Sequence, residues 1–288
     1  MSASWRAGVG LLAAWVLLAV GVSASAQTLP NGARRVSGAS VTPVFEGWFR
    51  NPDGTFSFLI GYLNRNQEQE VDVPIGPGNA IEPGGPDRGQ PTHFRTGRQW
   101  GLFTVTVPAD FGQQRLTWTV VANGQRLSIP FYLHPDYEIE PFREAAVGNT
   151  PPVLTFEPGG RSVQGPLAMT IERAATVAKP LTLTTWMSDD TKFTFSSGLR
   201  PRTLDNPVAV TWMKYRGTGP VVFDNPAPPP EPVATGGGAY NGKATTKVTF
   251  SEPGDYMLHV TVNDLSGQGG DGFQCCWTTA VVKVSVAP

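Results

Sequence analysis

The chain of 288 residues has little charge, cysteine or histidine. Charged residues are 16% of it, and 22 basic against 23 acidic groups leave a net charge of −1. So weak a field excludes nucleic acid and anionic membrane as partners. Three histidines, His93, His134 and His259, offer little for catalysis. No Gly-x-Ser-x-Gly elbow occurs, and no His-Glu-x-x-His zinc helix or Gly-rich loop opening a helix onto a phosphate. Nothing in the composition calls for a cofactor. Cys275 and Cys276 are the only cysteines, so the first half has none to pair. After residues 9–22 there is no second apolar run of membrane-spanning length.

Glycine and proline are plentiful, at 33 and 27 residues. That density breaks helices and supplies turns, which excludes a helical bundle. The N-terminus adds a compartment. Arg6 precedes an uncharged apolar run at 9–22, about fourteen residues long, and Ala24-Ser25-Ala26 then offers a peptidase small side chains. A bilayer span needs roughly 20 residues. The expectation is a cleaved signal over 1–26 with Gln27 as the new terminus, and no transmembrane segment after cleavage. No cysteine follows the run, which argues against a lipoprotein anchor. The mature protein is expected to be exported, periplasmic or extracellular.

From 41 to 133 the sequence alternates with period two. Phe56, Phe58, Ile60 and Tyr62 share one face, and Phe103, Val105 and Val107 repeat the pattern. So do Leu116, Trp118 and Val120, then Leu127, Ile129, Phe131 and Leu133. This marks half-buried strands of an antiparallel sheet. Asn51-Pro52-Asp53-Gly54 and Asn123-Gly124 supply the turns, the latter a type I′ signal. Pro130 cannot donate to a ladder, which places its strand at an edge. Residues 75–92 read as a long Gly/Pro-rich loop. A seam follows near 143–152, beyond which all six lysines lie. The second half again reads as strands, interrupted by a Pro/Gly loop at 226–238. The cadence Val105-Thr106-Val107 to Leu116–Val120 is echoed by Val248-Thr249-Phe250 to Tyr256–Val262.

The segment Glu252-Pro253-Gly254-Asp255-Tyr256-Met257-Leu258-His259-Val260-Thr261-Val262-Asn263-Asp264 resembles the penultimate strand of PKD-type (polycystic kidney disease) and related immunoglobulin-like modules. Thr150-Pro151-Pro152 is similar to the entry of that family, Pro180–Leu183 with Ser188-Asp189-Asp190 to its early strand and acidic turn, and Val210-Thr211-Trp212 to its central strand. The resemblance spans 150–288 and implies an immunoglobulin-like sandwich; the Pro/Gly loop and the glycines before Cys275 depart from it. For 41–133 no family is named. Tyr256 is then expected to return its hydroxyl to nearby backbone, and Trp212 to fill the space between sheets.

Candidate sites divide between chemistry and architecture. His259 alternates with the buried set of its strand and is expected to face solvent. His93 sits in a loop and His134 ends a strand. Glu70 and Asp72 share a strand face with Glu68 nearby, a spacing that suits solvated surface as well as a glycosidase pair. Asp189 and Asp190 at a turn, with Asp224 or Asp264 in neighbouring loops, offer calcium hard oxygen donors, or merely cap turns. Trp48, Trp100 and Trp277 could stack on a sugar or belong to the core. Adjacent cysteines in a strand point to opposite faces, and a Cα spacing of about 3.8 Å lies below the usual disulfide span of roughly 4.4–6.8 Å. A Cys275–Cys276 disulfide therefore needs a distorted backbone, which glycines 267–272 could permit. Reduced thiols and bridges to another chain remain open. Flanked by Phe273 and Trp277, such a ring would form a rigid apolar knob at the end of a sandwich, suited to binding.

The expectation is an all-β protein of two immunoglobulin-like antiparallel β-sandwich domains. The signal peptide at 1–26 and a flexible segment at 27–40 precede a first sandwich at 41–142, a linker at 143–152 and a second sandwich at 153–288. The expected role is a non-catalytic binding or spacer module contacting an envelope protein or glycan. The alternatives are a glycan-binding accessory module and a hydrolase with a loop site near His93.

Overall fold

A computed structural model describes residues 35–145, 148–192, 207–234, 240–264 and 275–288. The expected signal segment and Phe273 lie outside the described residues. The protein is all-β, built from antiparallel sheets with one parallel pair.

In the first half, strands Val41–Arg50, Phe56–Asn64 and Gly97–Val107 form one sheet in that order. The turn at Asn51 closes with Gly54 N–H donating to Asn51 O at 3.0 Å, and Gly54 takes the positive φ that glycine tolerates. A second sheet joins Asn79–Glu82, Leu116–Ala122 and Gln125–Phe131. Asn123 and Gly124 both have positive φ, as a type I′ hairpin requires. Pro130 lies on the edge strand of this sheet. Alternation places Phe58, Ile60 and Tyr62 opposite Trp118 and Val120, all fully buried. Phe103 meets the Trp118 ring edge-on at 5.3 Å. Each such side chain contributes about 2 kcal/mol or more through burial.

Residues 75–92 are not merely a loop. Asn79–Glu82 pairs with Leu116–Ala122, and Asn79 secures the segment from inside. Its amide donates to Val73 O at 3.0 Å and Pro91 O at 2.7 Å, and its oxygen accepts the Trp118 indole N–H at 2.9 Å. Alternation is hidden there because the strand is only four residues long.

The second half has a six-stranded sheet with Ser162–Gln164, Val153–Thr155, Leu181–Asp189, Tyr240–Phe250 and Val221–Phe223 in order, Glu231–Pro232 also pairing with Tyr240–Phe250. Facing it are Met169–Thr176, Trp277–Ala287, Gly254–Asp264 and Val208–Arg216. Trp212 is buried among Leu154, Met187 and Val260 in the shared core. The Tyr256 hydroxyl donates to Glu252 O at 2.9 Å and accepts Gly219 N–H at 3.2 Å, a tyrosine corner.

Arg34–Pro288 forms a single compact unit. The outer face of the Val41–Arg50 sheet meets the outer face of the sheet containing Trp277–Ala287, as Phe49 and Leu59 pack on Trp277. That junction positions His259, Trp277 and the two cysteines.

Candidate functional site

On strand Gly254–Asp264 the even positions Tyr256, Leu258, Val260 and Val262 enter the second core, so the odd positions face away from it. Of these, Met257 and His259, the latter expected to face solvent, meet the first half instead. His259 is 1% exposed. Its Nε2–H donates to Leu102 O at 2.9 Å and its ring stacks on Tyr215 at 5.5 Å. Burial lowers its pKa to about 4, against the smaller upward pull of the Leu102 hydrogen bond, so it is neutral at pH 7. The expectation of an exposed His259 is corrected because a second sheet covers that face.

Trp277 is likewise no exposed knob. Its indole N–H donates to Gly101 O at 3.3 Å, and a Cβ on Gly101 would collide with its ring. Cys275 and Cys276 are 2% and 0% exposed. Their sulfurs meet each other and lie 3.9 and 3.6 Å from Asn149 O, beneath the segment that enters the second half. The knob is corrected to a buried seam for these three residues. The physical reason is that strand Trp277–Ala287 begins directly after Cys276 and runs between two sheets.

Charged groups fasten the far side of the seam. The Arg216 guanidinium grips Asp87 through two bonds of 2.9 and 2.7 Å and also donates to Gln90 O. Tyr215 donates its hydroxyl to Gly89 O. Glu70 and Asp72, which share a face as expected, hold His93 between them, each at 3.0 Å from a ring nitrogen. Lys214 of the second half reaches Asp72 at 3.3 Å. Burial alone would depress the His93 pKa, but the hydrogen bonds and charges of Asp72 and Glu70 outweigh it and raise it. His134 Nδ1 accepts the Asp136 N–H and so caps a single 3₁₀ turn.

The aspartates expected for calcium converge in part. Alternation along Leu181–Asp189 brings Leu183, Thr185, Met187 and Asp189 inward, and Asp264 ends the inward row of the facing sheet. Two carboxylates thus close the same end of one core, Asp189 at 3% and Asp264 at 0% exposure. Asp189 Oδ1 accepts Thr191 N–H at 2.8 Å, while its Oδ2 has no hydrogen-bond partner among the described residues. Burial pushes the Asp189 pKa up to about 7, opposed by the Thr191 N–H and reinforced by the negative charges of Asp264 and Asp190. Asn149 donates to Asp264 Oδ2 at 2.6 Å, and the Thr150 hydroxyl donates to Asp190 Oδ2 at 3.1 Å. Asp224 lies elsewhere, accepting from the Thr246 hydroxyl and Lys247 N–H. Among the described residues no three His, Cys, Asp or Glu side chains form a metal-binding group. Any cation here would need neutral oxygens beside the carboxylates.

Of the three tryptophans considered for stacking, Trp48 is buried and donates to His134 O at 2.7 Å. Trp100 is 45% exposed, with the Arg98 guanidinium 3.9 Å above its ring. Sequence reasoning missed Arg98, whose partner is the largely buried Glu46. It also missed an aromatic group of Tyr132, His134 and Tyr137, whose ring centroids lie 5.6–6.2 Å apart.

No family model matches the chain, and no curated protein matches it. Among solved structures it is similar to domains 4 and 5 of the S-layer protein SbsC, at 11% identity and TM-score 0.23 over 87% of this chain and 98% of that one. Zebrafish RET cadherin-like domains 1 to 4 align at 14% identity and TM-score 0.27, over 77% of this chain and 45% of that one. A Porphyromonas gingivalis W83 protein of unknown function aligns at 8% identity and TM-score 0.23, over 86% and 100%. Scores of this size carry no functional argument.

Proposed function

We propose that the protein is exported and acts, without catalysis, as a binding or spacer module at the cell surface or in the periplasm, contacting an envelope protein or glycan. One observation carries this reading: all three histidines serve architecture. His93 is clasped by two carboxylates, His259 is spent on a carbonyl inside the seam, and His134 caps a turn. The fastened seam suits a part that holds two halves at a fixed mutual orientation. Export is tested by the N-terminus of the protein recovered from the periplasm or medium, expected at Gln27. The hydrolase alternative is tested by an esterase, protease and glycosidase screen; activity that His93→Ala abolishes, with the fold retained, would refute the non-catalytic reading.

A glycan-binding reading is favoured by Trp100, exposed and backed by Arg98, a face on which a sugar ring could stack. Tryptophan fluorescence across a polysaccharide panel tests it, with Trp100→Ala as control. A saturable change that the variant loses supports it, and a flat response removes it. The two buried sulfurs are proposed to be joined in the exported protein. Intact mass should rise by about two units on reduction, with a monomer on a non-reducing gel. Two thiols alkylated without reduction would overturn this.

A further inference from the structure

We propose that the second half binds one calcium ion at the seam end of its core, between the Asp189 and Asp264 carboxylates, with water or backbone carbonyls completing the shell. The inference stands whichever partner the module contacts. The two acids come from strands on facing sheets, Leu181–Asp189 and Gly254–Asp264, so the sandwich itself brings them to one place. Asp189 is 3% exposed, and its Oδ2 meets no donor among the described residues. Among the described residues its charged neighbours are Asp264 and Asp190, both negative, and it makes no ion pair there.

A carboxylate removed from water without a counter-charge costs several kcal/mol. A bound cation offsets that cost. The donors are oxygens, which select a hard ion. Calcium accepts 6–8 oxygens in an irregular shell mixing carboxylates with neutral carbonyls. The entry segment reaches both sides of the acids, Asn149 on Asp264 at 2.6 Å and Thr150 on Asp190 at 3.1 Å. A cation here would therefore tie residues 149–150 to both sheets of the second half.

The test is thermal unfolding of the full chain at neutral pH in chelator, in millimolar CaCl2 and in equal MgCl2. At calcium well above its Kd, Tm should rise by about 5 °C, with little response to magnesium, and Asp189→Asn and Asp264→Asn should lose the rise. Tb3+ luminescence sensitised by tryptophan, displaced by Ca2+, reads the same site in the wild-type chain and does not depend on either variant folding. No calcium shift together with no displaceable terbium signal overturns the proposal. So does a rise that magnesium gives equally or that Asp189→Asn retains.

Discussion

The two halves differ in whether buried carboxylates join their buried amides. The first closes its interior with neutral amides: Asn64, Asn66, Asn79 and Gln90 are each no more than 3% exposed. An amide carries both donor and acceptor, so one side chain can bind several backbone groups without needing a counter-ion. Asn64 donates to Gln69 O and Phe94 O, and its oxygen accepts from Asn66. The second half closes the seam end of its core with Asp189 and Asp264. A carboxylate only accepts, and it carries a charge that burial penalises. Asn64 and Asn79 are met by the chain itself; Asp189 keeps an oxygen that an added cation would meet.

Removing an amide should therefore do the greatest damage. Asn79→Leu leaves the Trp118 N–H and the carbonyls of Val73 and Pro91 without it. At about 1–3 kcal/mol for each unmet buried group, the loss should approach about 4 kcal/mol in urea unfolding. Asp189→Asn gives the second half the first half's solution. The new amide can still accept from Thr191, so stability in chelator should stay within about 1 kcal/mol of wild type.

The histidines repeat the contrast. His259 is buried neutral, its folded pKa lowered from 6.5 to about 4. Its contribution is fully present above the unfolded value and is lost as pH falls toward the folded one. At 1.36 kcal/mol per pKa unit, acidification from pH 7 to pH 4 should cost about 3 kcal/mol, and His259→Gln should flatten that slope. His93 is raised, so its contribution is present below the unfolded pKa and fades as pH rises through the folded one. NMR titration should show the His93 ring changing above pH 6.5 while His259 does not change until near pH 4. A shared midpoint would break the comparison.

Gly101→Ala tests the seam directly. Its φ of +45° disfavours a side chain, and the added Cβ would strike Trp277, so a loss of about 2 kcal/mol is expected by chemical denaturation. The smallest effect belongs to Trp100→Ala. Its ring is half exposed, and stability should move by no more than about 1 kcal/mol.

Much of the fold was legible from period two. Phe58, Ile60 and Tyr62, the Asn123-Gly124 hairpin and Tyr256 stand where their chemistry demands. The seam was not legible, because alternation tells which face of a strand enters its own sandwich and is silent about what covers the other face. His259 was misplaced for that reason. A signal did exist: residues 275–282 run uncharged through Cys-Cys-Trp-Thr-Thr-Ala-Val-Val, and all are buried. Continuous burial of that kind marks a strand covered on both faces. Asp189 and Asp264 were legible as acids but not as neighbours, since 75 residues separate them in sequence and only the facing of two sheets joins them.

Strand Trp277–Ala287 lies inside its sheet, parallel to Met169–Thr176 on one side and antiparallel to Gly254–Asp264 on the other. A chain that emerges N-terminus first from a ribosome delivers these eleven residues after every other described strand. Until they arrive, two strand edges stand apart and the non-local pairing that closes the core is missing. Order of synthesis thus places the completion of this sheet after all its other described strands.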